Sequence, residues 1–446
     1  MSFLQKPSVM AVALLVALAT TQDVLARGDM PPEQPYSSFK PYYPQLPGFE
    51  LAPRDYAPSA PIPVPSHFYL ASGATSYNGL QFAQGIDTQL AALRDSGGLT
   101  IEQQNQLREL QLLLASQPSG ELGAALEQLA GSQNANLAAA TQKSSGQVSA
   151  GLLSALRGMP DQEQGRFWVQ GLGHGSNLAG LEGSQGMKQG LRGLLIGADW
   201  SLDSAWRMGV VGGRSSSTLD SRRFEAALDS WHLGGYAVRQ DGPLALRLGA
   251  IHSRHDGNTQ RNIDIAFLDY QQHLKGRYRA QSQHAFAEAG YTVGNDTFHA
   301  EPFASVGYQR YQRNGFKETG GEAALNVGAQ TQENFNSTLG VRLATVHRFD
   351  NQMSLTPHLS AQWKHVYGDV SSRVHQSSRL IGLDGTDGLD SQFTVRGTAL
   401  DRNSLGLNAG LDLALSSQHT VGLTYTGEAG SSSRSQGLTG QWRMEF

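Results

Sequence analysis

The chain contains no cysteine. That removes disulfides, thiolate catalysis and thiolate metal ligation. After the N-terminus no stretch reaches the roughly 18 apolar residues a membrane-spanning helix requires. Charge is sparse and balanced, with 16% Asp, Glu, Lys and Arg, a net charge of −4 and no basic stripe, so nucleic-acid binding has no support. His67 is the only histidine ahead of residue 170, so the first half of the chain has little material for a Ser–His–Asp set. No motif calls for a cofactor or a metal. Glycine, by contrast, is abundant: 52 of 446 residues, above the usual value of roughly 7%.

The chain opens with a secretory pattern. Lys6 supplies a positive charge, Val9 to Ala19 is a short apolar run, and Val24-Leu-Ala26 fits a cleavage site. Residues 1–26 are read as a signal peptide. Eleven of the 17 prolines fall between Pro31 and Pro65, interleaved with aromatics such as Tyr42, Tyr43 and Tyr56. Proline at that density blocks helix and central strand, so residues 27–80 are expected to be extended. Its candidate roles are an adhesive surface peptide and a solvated tether.

Residues 81–131 carry helical signals. Thr100-Ile-Glu-Gln103 has the form of a capping box, and Leu107, Leu110 and Leu114 follow at helical spacing. Gln117-Pro-Ser-Gly120 breaks that helix, and Leu122, Leu126 and Leu129 begin another. Residues 132–158 are mostly Ala, Ser, Gln and Asn, with Asn134 and Asn136 near the start and a narrow apolar face of Leu137, Val148, Leu152 and Leu156. A slim, mildly polar helix of this kind suits a wet pore better than a dry core. Its length of roughly 38 Å is enough to cross a barrel's apolar band of about 25 Å.

From Phe167 the period becomes two and stays so, giving twelve candidate strands. The last ten residues are the clearest case: Leu438, Gly440, Trp442, Met444 and Phe446 alternate with Thr439, Gln441, Arg443 and Glu445. Apolar-out and polar-in alternation predicts an all-β transmembrane barrel of 12 antiparallel strands over 165–446, with an N-terminal α-helix threading the pore. Leu195 and Phe303 fall on the inward face. Asp199, Arg207, Arg247, Glu288, Glu301 and Arg342 are read as lumen charges. Trp200, Trp363 and Trp442 are read as an aromatic girdle. Short turns such as Leu202-Asp-Ser204 alternate with long connections near 178–188, 216–226, 256–279, 314–332 and 369–400, leaving Ser431 to Ser433 as the one short loop at that end.

These features together resemble the translocator domain of monomeric autotransporters, the type V secretion family. Ala125-Leu-Glu-Gln-Leu-Ala-Gly131 with Asn134-Ala-Asn-Leu-Ala138 is similar to the lead before such barrels, and Gly165-Arg-Phe-Trp-Val-Gln-Gly171 to their first strand. Trp442, Met444 and Phe446 resemble the barrel-insertion signal. The resemblance implies a monomer in outer-membrane lipid, delivered by periplasmic chaperones and inserted by the barrel assembly machinery. It implies export of the upstream segment and retention of the 132–158 helix as a plug. Lack of cysteine suits a chain that crosses an oxidising periplasm unfolded.

The chain also departs from the family. Only about 100 residues precede the plug, and no repeat of the β-helical kind is present. No Gly-Asp-Ser-Leu esterase signature occurs. Where members cut themselves at an Asn in the pore helix, Asn134 and Asn136 are the nearest analogues, in a flanking sequence that does not match. A non-enzymatic transport and display protein is the expectation. Two alternatives are a plugged porin, with 27–130 on the periplasmic side, and a barrel hydrolase using His252, His255 and Asp256. Gly171-Leu-Gly-His-Gly-Ser176 is read as a glycine-lined lumen strand rather than a catalytic turn.

Overall fold

The computed structural model describes residues 69–95, 100–157, 165–180, 185–350, 353–368, 370–378 and 391–446. The signal peptide, the Pro/Tyr-rich stretch through residue 68 and the Gln103 side chain lie outside them.

Twelve antiparallel strands form a closed barrel in which each strand pairs with its neighbours in sequence. They are β1 (Arg166–Leu178), β2 (Met187–Ser201), β3 (Trp206–Ser221), β4 (Phe224–Asp241), β5 (Leu244–Ile265) and β6 (Tyr270–Tyr291). The second half comprises β7 (Phe298–Arg313), β8 (Gln330–Thr345), β9 (Ser354–Gly368), β10 (Asn403–Ala414), β11 (His419–Gly430) and β12 (Ser433–Glu445). Closure comes from β1 against β12, in register from Arg166 opposite Glu445 to Leu178 opposite Ser433. The end holding Gly165 and Phe446 is here the base, and the other the mouth.

Alternation sets the two surfaces. On β5, Leu244, Leu246, Leu248 and Ala250 point outward while Ala245, Arg247, Gly249 and Ile251 point inward. Phe298 and Tyr308 on β7 mark the two rims of the outward apolar band. Ten residues at ~3.4 Å, tilted by roughly 40°, place those rims about 26 Å apart. Trp200 and Trp442 sit toward the base and Trp363 toward the mouth, all exposed on the outer surface. Base turns are short and locally determined. Asp203 accepts the N–H groups of Ala205 and Trp206 at 2.8 and 2.7 Å, which holds its carboxyl below the usual range.

Three expectations need correction. The segments 216–226 and 256–279 are not long loops: β3 and β4 stay paired up to Ser221 and Phe224, and β5 and β6 up to Ile265 and Tyr270. Ser431 to Ser433 is therefore not the one short connection at the mouth. The cause is inward burial, because Leu219, Phe224, Ile263, Ile265 and Leu274 face a helical cap and pay for strands that rise above the band. Gly171, Gly173 and Gly175 face outward, since Gln170, Leu172 and Ser176 hold the inward phase. The extended reading of 27–80 ends early, with a 3-10 turn at Leu70–Gly73 and a helix from Tyr77.

Among the described residues four α-helices precede the barrel: α1 (Tyr77–Asp95), α2 (Ile101–Ser116), α3 (Ser119–Ala130) and α4 (Gln133–Arg157). Phe82, Ala83, Ile86 and Leu90 of α1, Leu110 and Leu114 of α2, and Leu122, Leu126 and Leu129 of α3 join one core with the inward residues at the mouth. Asp87 accepts the N–H groups of Leu70 and Ala71, each at 2.9 Å, which fixes the preceding turn on α1. Gly131, at φ +58°, ends α3 and lets the chain turn into the lumen. A Cβ there would stand 2.6 Å from Leu325 Cδ1.

The last residue is tied into the closing seam. Phe446 N–H donates to Gly165 O at 2.9 Å, its ring lies against Gly165, and the Trp442 ring packs between Phe167 and His419. Deleting Phe446 is expected to lower the abundance of heat-modifiable, membrane-inserted protein while leaving signal-peptide removal intact. Normal gel migration and abundance of the deletion variant would contradict that expectation.

Candidate functional site in the barrel lumen

Helix α4 enters at the mouth and reaches the base, and the wall meets it at four levels. At the mouth the helix is held through two amide side chains, Asn134 and Asn136, one of which meets a carboxylate. Asn134 Nδ2 donates to Gln376 Oε1 at 2.9 Å and Glu318 Oε1 at 3.3 Å. Asn136 Oδ1 accepts the Thr398 N–H at 2.6 Å. Gly397 permits that approach, since a Cβ there would lie 2.3 Å from Asn136 Oδ1. Gln376 and Thr398 belong to a hairpin of Ser371–Ser378 and Ser391–Ala399 that folds over the mouth. α1 clamps the same hairpin from outside: Asn78 both donates to Arg396 O and accepts from Arg396 N, at 2.9 and 2.7 Å. Phe82 meets Phe393 edge to face at 5.2 Å. Within the cap, Glu127 accepts from Ser76 and Ser132, and burial pushes its carboxyl above the usual range.

The second level is hydroxyl and imidazole. Ser144 Oγ lies 3.0 Å from Ser217 Oγ, and Ser145 Oγ 3.1 Å from Ser282 Oγ. Ser282 continues into the wall through His255 Nε2 at 2.9 Å, and His255 Nδ1 meets Ser230 at 2.8 Å. Small side chains here let a helix 10–12 Å wide fit inside twelve strands.

The third level is apolar. Val148, Leu152, Ala155 and Leu156 pack against Trp168, Leu172, Leu195, Val211 and Ile251. Leu195, which falls on the inward face in the sequence, belongs to this belt. Leu137, nearer the mouth, is buried with the cap.

The base level is ionic. Glu288 is fully buried and accepts from Arg157 at 2.5 Å, from Arg247 at 3.1 Å and from Arg342 at 3.2 Å. Arg247 and Arg342 also hold Glu301, each at 2.7 Å. The Arg157 and Arg342 guanidinium groups lie 5.2 and 4.5 Å from the Phe303 ring, which gives that inward aromatic a physical reason. Asp199 forms a neighbouring cluster with Arg166 and Arg207, both at 2.9 Å, and with Tyr236 Oη, whose own acceptor role is taken by Trp168 Nε1.

All six charges singled out from the sequence thus gather near the base. Sequence reasoning missed their partners Arg157, Arg166 and Tyr236. Arg166 could have been found from its inward phase, one residue before Phe167. Arg157 could have been found as the only charge in the last turn of α4. The proposed trio His252, His255 and Asp256 does not converge. His255 points inward, whereas His252 and Asp256 point outward, because odd and even positions of β5 face opposite sides.

Glu288→Gln leaves Arg157 without its carboxylate and Arg247 and Arg342 with Glu301 alone. A destabilisation of about 3–5 kcal/mol is expected, read as a lower urea midpoint for loss of sheet signal. Excising 132–158 is expected to raise single-channel conductance in planar bilayers. Unchanged conductance would show that α4 does not occupy the conducting path.

Comparison with known proteins follows the same lines. The profile of the autotransporter beta-domain family matches residues 167–426. An extracellular serine protease of Serratia marcescens is 29% identical over 282 residues, covering 62% of this chain and 26% of that protein. The chain therefore spans about a quarter of that relative's length, and the shared part is the barrel. The translocator domain of the autotransporter NalP from Neisseria meningitidis superposes with a TM-score of 0.55 at 14% identity, covering 69% of this chain and 97% of that one. The beta domain of the Bordetella autotransporter BrkA gives 0.46 at 18% identity, covering 64% and 100%.

Proposed function

From the premise that this chain belongs to the autotransporter beta-domain family, an outer-membrane translocator barrel, we propose that it exports its own N-terminal segment and holds it at the cell surface. The observation that carries the reading is the path of the chain. α4 runs from Gln133 at the mouth to Arg157 at the base, so the whole cap from Tyr69 to Ala130 lies on the mouth side. With both strand ends of the barrel at the base in the periplasm, the mouth faces outward and carries Tyr69, the first described residue.

In this reading the barrel is inserted by the outer-membrane assembly machinery, with Trp442, Met444 and Phe446 as the recognised end. The segment passes outward and α4 stays behind as the plug. The closed set of contacts from Asn134 to Arg157 makes α4 a retained part rather than a released one. The display role is non-enzymatic. The inward histidines His232 and His255 each have serine on both ring nitrogens and no hydrogen-bonded carboxylate to orient them, which disfavours Ser–His chemistry there.

Protease shaving of intact cells tests the proposal. An epitope placed near Tyr43 is expected to be lost from whole cells without lysis. Complete protection would overturn display and favour a plugged porin with a periplasmic N-terminal segment.

A further inference from the structure

The outer surface of β2 to β7 changes chemistry abruptly at the mouth-side edge of the apolar band. On β2 the last outward apolar residue is Leu194, and the next outward position is Arg192. On β3 Arg214 follows Val210 and Gly212. On β5 Arg254 follows Ala250 and His252, and on β7 Arg310 follows Val306 and Tyr308. β6 adds Arg279, Arg277 and Lys275 a little higher. Four separate strands thus place an arginine at the first or second outward step beyond the band.

Three acidic residues close to the band edge are already engaged. Asp229 lies 3.7 Å from Arg214, Asp256 3.5 Å from Arg279 and Glu333 3.1 Å from Arg310. Among the described residues Arg192, Arg254, Arg277 and Lys275 have no ion pair. Trp231 on β4, 62% exposed, has the Arg214 guanidinium 5.4 Å from its ring and stands in register with Arg254. An aromatic ring at the band edge with arginine on either side fits the boundary between acyl chain and charged headgroup. The base rim differs. It is built from Trp200, Leu244, Tyr291, Phe298 and Phe446, and its Arg239 is paired with Asp241 at 2.9 Å.

We propose that Arg192, Arg214 and Arg254, with Trp231 between them, bind the phosphorylated headgroup of the glycolipid in the mouth-side leaflet. The inference rests on the reading above in taking the mouth as the cell-surface side. Guanidinium forks donate two N–H groups to one phosphate, and neighbouring strands about 4.8 Å apart present several forks to one diphosphorylated headgroup. The belt then fixes the barrel's depth and tilt in the leaflet that carries that lipid.

The test uses full-length protein purified in detergent and titrated with lipid A, phosphatidylglycerol or phosphatidylcholine, with bound lipid counted by native mass spectrometry. The variant R192Q/R214Q/R254Q is expected to bind lipid A about a hundredfold more weakly, near fivefold per residue. The base-side variant R239Q is expected to bind as wild type does. All variants should keep wild-type heat-modifiable migration, because the substituted side chains face outward. Phosphatidylglycerol is expected to bind more weakly than lipid A, and phosphatidylcholine not to respond to the substitutions. Wild-type lipid A binding by the triple variant would overturn the belt. Equal affinity for phosphatidylglycerol and lipid A would overturn the glycolipid assignment. The readout does not involve the N-terminal segment, so its failure and the failure of the shaving experiment are separate results.

Discussion

Everything in this molecule depends on the pairing of β1 with β12. In hydrocarbon an unpaired backbone N–H or C=O costs several kcal/mol, so a sheet survives there only if it has no edge. Thirteen register positions, from Arg166 opposite Glu445 to Leu178 opposite Ser433, remove the two edges that a meander of twelve strands would otherwise leave. The seam is lightly built on its outer side, with Gly171 opposite Gly440 and Gly173 opposite Leu438. Its weight lies at the base, where Phe167, Trp442, Met444 and Phe446 meet. The end of the chain is thus also the end of the closure.

A closed sheet creates a second demand, because its inner face must be filled or wetted. The chain fills it in layers whose chemistry follows depth. Amides and hydroxyls meet the upper part of α4, aliphatics its lower part, and a network of arginines and carboxylates its last turn. Buried ion pairs are costly to desolvate, and they persist where each carboxylate is met by more than one cation. Glu288 and Glu301 satisfy that condition by sharing Arg247 and Arg342. Above the band the same inward alternation is capped by α1, α2 and α3. That is why β5 and β6 continue as paired strands of 22 residues each.

Much of this is written locally. Period-two alternation gives the strands, their number and the inward phase of Leu195 and Phe303. The small-residue composition of 132–158 gives the plug. Charges at inward phase give the lumen network, because a carboxylate on an otherwise apolar ribbon has nowhere else to go. What escaped is non-local. Asn262 and Asp264 look like loop residues until the alternating Ile263 and Ile265 are seen to face a cap whose Gln128, 136 positions before Asp264, accepts that residue's N–H. The parity error in Gly171 to Ser176 arose from reading glycine as lumen-facing, whereas Trp168 and Gln170 set the phase. The clustering of Asp199 with Arg166, and of Glu288 with Arg157, depends on barrel stagger and on how deep the helix sits. Neither is encoded in spacing.

The uneven attachment of α4 has a mechanical consequence. Its mouth end is held by the hydrogen bonds of Asn134 and Asn136, one of them to the Glu318 carboxylate, and the hairpin over it is itself gripped from outside through Asn78 and Phe82. Its far end carries the one ion pair that the helix makes among the described residues, Arg157 with Glu288. Tension applied to the N-terminal end of the described chain therefore loads these attachments in series, from the mouth inward. The cap and the amides would peel before the ionic anchor feels the pull. A helix so held is a rope whose upper turns give before its deepest knot does.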